Sequence, residues 1–99
     1  MFKSKILSAA KQDIKASAIW YESKQKGLGK RFTTEIREKV RSIQENPRAA
    51  PIRFGNVRTA VLVNFPFMIH YTDEVTLKKV TIIAVFHTSR NPDVWKERS

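Results

Sequence analysis

Cysteine is absent from this 99-residue sequence, and histidine occurs only as His70 and His87. Without a thiol there is no disulfide, no thiolate nucleophile and no cysteine-based zinc site. Two imidazoles cannot complete a histidine-based metal centre without carboxylate help. No carboxylate pair stands at metal-ligand spacing, so no metal site is expected. A phosphate-cradling glycine loop and a Ser-His-Asp signature are missing too, and no cofactor is implied. With only 3 glycines and 4 prolines, the sequence has no linker, repeat or low-complexity stretch. No apolar run approaches the roughly 20 residues that span a bilayer. Met1 to Leu7 lacks the apolar segment and cleavage site of a secretory signal. These absences describe a soluble, cytoplasmic protein with one domain over residues 1–99.

Negative charge is also scarce. Nineteen Lys and Arg face 9 Asp and Glu, a formal net charge of +10. Such a field suits nucleic acid, a ribosome or an acidic protein partner, and says little about fold. Hydrophobic residues at 41% indicate a packed core rather than a disordered basic tail.

Periodicity sets the elements. Phe2 to Leu7 reads as a short edge strand, and Ser8 is placed to cap the helix after it. Ala10, Ile14, Ala18 and Tyr21 recur at helical spacing. That helix stops before Lys26-Gly27-Leu28-Gly29, where glycine permits a left-handed turn. A second helix carries Leu28, Phe32, Ile36, Val40 and Ile43 on one stripe and ends at Asn46-Pro47. So short a connection makes the two helices an antiparallel hairpin. Beyond Pro51 the period becomes that of strands: Val57 to Val63, then Phe67 to Tyr71, then Leu77 to Phe86, with Thr72-Asp73-Glu74 as a turn. The expected fold is α+β in the order β-α-α-β-β-β, a helical hairpin on one face of a small antiparallel sheet whose other face is partly open.

One stretch concentrates chemistry. The apolar strand from Val80 ends in His87, Ser89 and Arg90, with Trp95 after the Asn91-Pro92 turn. An endoribonuclease that forms a 2′,3′-cyclic end needs a base, cations for the pentavalent phosphate and an acid for the leaving oxygen. Arg58, Arg90 and Lys78 or Lys79 could supply charge, His87 or His70 could move a proton, and Tyr71 could stack on a base. The structural alternatives are as concrete. His87 could anchor its turn, Arg90 could pair with Asp93, and Arg58 could occupy a solvated edge position. Whether the core lies on the side of Phe67 and Ile69 or of Met68 and His70 stays open. Trp20, Tyr21 and Trp95 read as core or interface packing. Lys30, Arg37 and Arg41 share a helix face away from the apolar stripe, either a solvated surface or a contact for an acidic partner.

Across nearly the whole chain, phrases in order resemble the plasmid-stabilisation toxins of the RelE/ParE superfamily. They include Ala10-Lys11-Gln12-Asp13-Ile14, Trp20-Tyr21-Glu22, Gly27-Leu28-Gly29, Glu45-Asn46-Pro47, Val57-Arg58 and the strand from Phe65-Pro66-Phe67 to Tyr71. Ala84-Val85-Phe86-His87 with Arg90-Asn91-Pro92 and Trp95 completes the likeness. The resemblance implies the toxin of a type II toxin–antitoxin pair, neutralised by a cognate antitoxin. Its helix phrases and final His-x-x-Arg-Asn-Pro look more like the ParE side. That side implies inhibition by binding, with DNA gyrase as the expected target, rather than the ribosome-dependent mRNA cleavage of RelE-like members. Arg58, His87 and Arg90 are then the catalytic candidates should the chain be a metal-independent endoribonuclease. Lys30, Arg37, Arg41 and Trp95 are the candidate partner-binding residues, and a homodimer or a toxin–antitoxin hetero-oligomer would fit. An unrelated basic RNA-binding module is the third reading.

Overall fold

The computed structural model describes residues 1–89. Its order is β1 (Lys3–Ile6), α1 (Ser8–Lys24), α2 (Leu28–Glu45), β2 (Ile52–Phe54), β3 (Val57–Val61), β4 (Phe67–Glu74) and β5 (Lys79–His87). The strands form one sheet in the order β1-β5-β4-β3-β2. The meander from β3 to β5 is antiparallel, while β1 joins β5 in parallel. The sheet is therefore mixed, because the helical hairpin carries the chain back across the sheet before the meander begins.

Three local expectations are corrected. Ser8 lies inside α1, and Leu7 holds the capping position with extended backbone and no side-chain cap bond. β4 continues through Thr72, Asp73 and Glu74, each paired to β5, so the reversal falls at Val75 to Lys78 instead. Lys78 adopts a left-handed φ of 49° there. A further strand, β2, pairs outside β3; three residues after a proline are too few to show a period.

Helix α2 buries Phe32, Ile36, Val40 and Ile43, the stripe its sequence presents. They pack with Ile69, Tyr71, Val80 and Ile82 from the sheet. The opposite sheet face holds a second cluster, with Val57, Ile83, Ala84 and Phe86 nearly inaccessible. The sheet is thus buried on both sides here rather than partly open on one. A register shift after His70 places the consecutive β5 residues Ile83 and Ala84 on the same face, both in the second cluster, which strict alternation forbids.

The hairpin is fastened by close approach and by charge. Gly27, at φ 88°, makes the left-handed turn that a Cβ would resist. A Cβ on Gly29 would sit 2.5 Å from the Ala18 carbonyl oxygen, so only glycine lets α2 start this close to α1. The Glu22 carboxylate accepts hydrogen bonds from the amides of Gly27 at 2.9 Å and Gly29 at 3.0 Å. These are orphan donors at the start of a helix, where negative charge is favoured. Among the described residues no helix is long and apolar enough to cross a membrane.

Candidate functional site

Arg58 lies on β3 with β2 outside it, not on a solvated edge. Its side chain is 14% exposed and that of Asp73 10%. The guanidinium donates from Nε to Asp73 Oδ1 at 3.0 Å and from Nη1 to the Ala50 carbonyl at 2.8 Å. Arg48 reaches the other Asp73 oxygen at 3.9 Å. Beside them the Tyr71 hydroxyl donates to the Pro47 carbonyl at 2.6 Å. Together these groups pin the connection between α2 and β2 to the sheet. Tyr71 is fully buried, and burial raises its phenol pKa; its ring is core and cannot stack on a base.

His87 ends β5 on the same sheet face but far from Arg58. Its rung partner on β4 is Phe67, whereas that of Arg58 is Tyr71. Four residues along a strand separate them by about 13 Å, before the width of the sheet is added. The imidazole stands edge-on to the Phe67 ring. Its Nδ1 accepts from the Ser89 amide at 3.1 Å and pairs with the Ser89 hydroxyl at 2.7 Å. His87 therefore anchors the turn it begins. Arg90 and Trp95 lie outside the described residues.

His70 is 1% exposed, with Nδ1 3.0 Å from the Thr59 hydroxyl and its ring against Phe86. Burial, aided by the positive charge of Arg53, lowers its pKa to about 4. It is a neutral core residue at physiological pH. The question left open between Phe67 with Ile69 and Met68 with His70 resolves as both faces being core. Among the described residues, no group of acidic residues and histidines could hold a metal ion.

The partner-binding candidates on α2 are exposed, as their helix face predicts. Arg37 and Arg41 rim a groove of about 670 Å³ floored by Ile6, Ile14, Ile36 and Val40. One wall is the edge strand β1. The amides of Lys3 and Leu7 bond to the carbonyls of Lys78 and Ile82, so by alternation the backbone of Ser4 and Ile6 points away from the sheet. Phe2 also points outward, but Gln44 already bonds both its amide and its carbonyl. The groove thus combines two outward-pointing strand residues, an aliphatic floor and two guanidinium groups. Lys30 lies on the same α2 face two turns earlier and borders a different cleft, with Val63 and Asn64. There Glu35 accepts from the Val63 and Asn64 amides at 2.7 and 3.0 Å and from the Asn64 side chain at 2.9 Å.

Sequence reasoning gave no role to Glu22, Glu35 or Asp13, whose carboxylate accepts from the Val85 amide at 3.0 Å. The available signal was their rarity. In so basic a chain, carboxylates on the flanks of helix stripes are placed to bind backbone amides.

The family described as "ParE toxin of type II toxin-antitoxin system, parDE" matches residues 5–92. The chain belongs to the ParE toxin family. Solved structures agree on the fold. A chain of the chromosomal ParDE toxin–antitoxin system from P. aeruginosa aligns with a TM-score of 0.76 at 21% identity, covering 88% of this chain and 96% of the other. The intact E. coli RelBE toxin–antitoxin complex contains a chain with a TM-score of 0.69 at 16% identity, covering 91% and 100%. The isolated E. coli RelE toxin aligns at 0.68 and 17%, covering 98% and 94%. Among curated proteins none matches.

Proposed function

We propose that this ParE-family toxin inhibits growth by binding a macromolecular target, with DNA gyrase the expected one, and that a cognate antitoxin neutralises it along the β1 edge. The groove beside β1 carries the antitoxin part of this reading. An extended segment can pair with the outward backbone of Ser4 and Ile6, seat alternate apolar side chains on Ile14, Ile36 and Val40, and place carboxylates against Arg37 and Arg41. A disordered acidic tail that folds on contact has the chemistry this groove accepts.

Inhibition by binding is favoured over RNA cleavage by the placement of the candidate catalytic groups. General acid–base catalysis needs base, acid and cation within reach of one phosphate. Arg58 is committed to Asp73 and lies a sheet's width from His87, while His70 and Tyr71 are buried.

The deciding experiment is inducible expression with two readouts, plasmid supercoiling by gyrase and integrity of translated mRNA. Loss of supercoiling with intact mRNA is the expected result. Rapid mRNA loss with unchanged supercoiling would overturn it in favour of the RelE-like activity. Co-expression with a cognate antitoxin, sought among the neighbouring open reading frames, should give a stable complex and restore growth.

A further inference from the structure

Strand β2 covers only the first half of β3. Its ladder stops at Ile52, opposite Arg58, and the Thr59 amide adds one bond to the Pro51 carbonyl at 3.2 Å. Upstream of Pro51 the chain comes from a turn after α2, closed by the Ala49 amide on the Asn46 carbonyl at 3.2 Å. It does not continue along β3. Alternation fixes what is left open. The Leu62 amide points to β4, where it bonds the Phe67 carbonyl at 3.0 Å, so the amides of Thr59, Val61 and Val63 point the other way. That of Thr59 goes to Pro51 and that of Val63 to the Glu35 carboxylate. Among the described residues, Val61 between them keeps its amide and carbonyl at an open sheet edge. A cleft of about 250 Å³ lies there, with Ile43, Ala60, Val61 and Tyr71 in its wall. Among the described residues its charged lining is two cations, Lys39 and Arg53.

Geometry and charge together select the occupant. A strand residue with both backbone groups open takes one antiparallel partner residue, which exchanges two hydrogen bonds with it. That partner chain runs in the direction of β2, toward Pro51. It has room for one residue more, because Pro51 already stands opposite Thr59. A chain that continues must leave the sheet at this point, whereas a chain that ends needs no detour. In the antiparallel sense the end is a carboxylate, delivered to the cleft that holds Lys39 and Arg53. The parallel sense would bring an N-terminal ammonium to the same two cations. A second copy of this chain does not fit. With Val61 on Val61, its residue 63 would fall on the place of Pro51, and like charges would meet.

We infer that the open edge of β3 binds the free C-terminal end of an extended segment of a partner protein. Its penultimate residue pairs with Val61, and its terminal carboxylate is held by Lys39 and Arg53. By alternation the last side chain falls on the face of Ala60, toward α2, where Ile43 and Tyr71 offer an apolar floor. The inference is independent of the antitoxin groove, which lies at the other edge of the sheet.

The test is an affinity selection on the folded chain from hexapeptides with a free carboxylate and three randomised C-terminal positions. Fluorescence anisotropy then compares the selected peptides with their C-terminal amides. The peptides should end in an apolar residue, and amidation should weaken them at least about tenfold, the loss of a charge-assisted contact. Val61→Pro removes the edge amide and no ladder bond to β4, while Lys39→Glu with Arg53→Glu reverses the cations. Each should also cost at least about tenfold, and the charge-reversed chain decides should the proline variant not fold. Failure to select any peptide, equal binding of acid and amide, or undiminished binding by the charge-reversed chain would overturn the inference. Displacement of the peptides by a single-stranded oligonucleotide would assign the cations to a phosphate ligand, with the same consequence. Self-association in sedimentation that Val61→Pro abolishes would give the edge to a second copy and likewise sink the proposal.

Discussion

Arg58 and His70 occupy neighbouring strands, and each was a candidate for chemistry that its surroundings now redirect. Arg58 is a partly buried cation with a partly buried anion, and removing one member of such a pair strands the other. Arg58→Ala is expected to cost about 3 kcal/mol, since Asp73 would keep only the distant Arg48. Asp73→Asn in the same chain should restore part of that loss. Urea unfolding of the single and double variants checks both, and additive costs would refute the coupling. His70 makes a prediction about pH. Its folded pKa of about 4 lies below the unfolded value near 6.5, so between them the unfolded chain binds the extra proton. This contribution leaves stability intact above pH 6.5 and lowers it progressively toward pH 4. The loss reaches on the order of 3 kcal/mol and stays constant below. A His70→Asn variant should flatten that part of the stability–pH curve, and a curve identical to the parent's would place the titration elsewhere.

At the level of elements, the helical hairpin depends on Gly29 and Glu22 more than on its apolar stripe alone. Alanine is the better helix former by about 1 kcal/mol, yet Gly29→Ala should destabilise by about 2 kcal/mol because its Cβ meets backbone rather than a movable side chain. Glu22→Ala removes the carboxylate from two α2 amides and should cost about 1 kcal/mol. Thermal melts decide both, and a raised melting temperature for Gly29→Ala would show that the helices can separate cheaply. The hairpin was readable in the sequence because α2 alternates cleanly and glycine marks the turn. β3, β4 and β5 were readable as strands for the same kind of reason. Their boundaries were not, since Thr72 to Glu74 has turn composition but pairs along β5. Nor was the buried state of both faces, because strands this apolar do not show which side is covered, nor the register shift that puts Ile83 and Ala84 on one face. The Arg58–Asp73 pair spans 15 residues and is fixed only by the β3–β4 register, so Arg58 looked like a solvated edge residue. The grooves joined residues too distant in sequence for any spacing rule to connect.

For the whole molecule, the excess of positive charge becomes directional once the carboxylates are located. Asp13, Glu22, Glu35 and Asp73 are engaged in internal hydrogen bonds or ion pairs, so most of the charged groups free to meet a partner are Lys and Arg. Arg41 has a partner in Glu45 at 3.7 Å, but those side chains are 75% and 58% exposed, and such a surface pair gives little. Arg37 and Arg41 are therefore available to steer an acidic segment into the β1 groove. Steering acts on the association rate and is screened by salt, with a Debye length of about 10 Å at 0.1 M. Reversing both charges, Arg37→Glu with Arg41→Glu, should slow antitoxin association by about tenfold at low ionic strength. The parent and the variant should converge as salt approaches 0.5 M, while dissociation, governed by strand pairing and the aliphatic floor, changes less. Stopped-flow association across a salt series measures this directly. Parallel salt dependences for parent and variant would show that the antitoxin approaches by another face, and the β1 groove would lose its assigned partner.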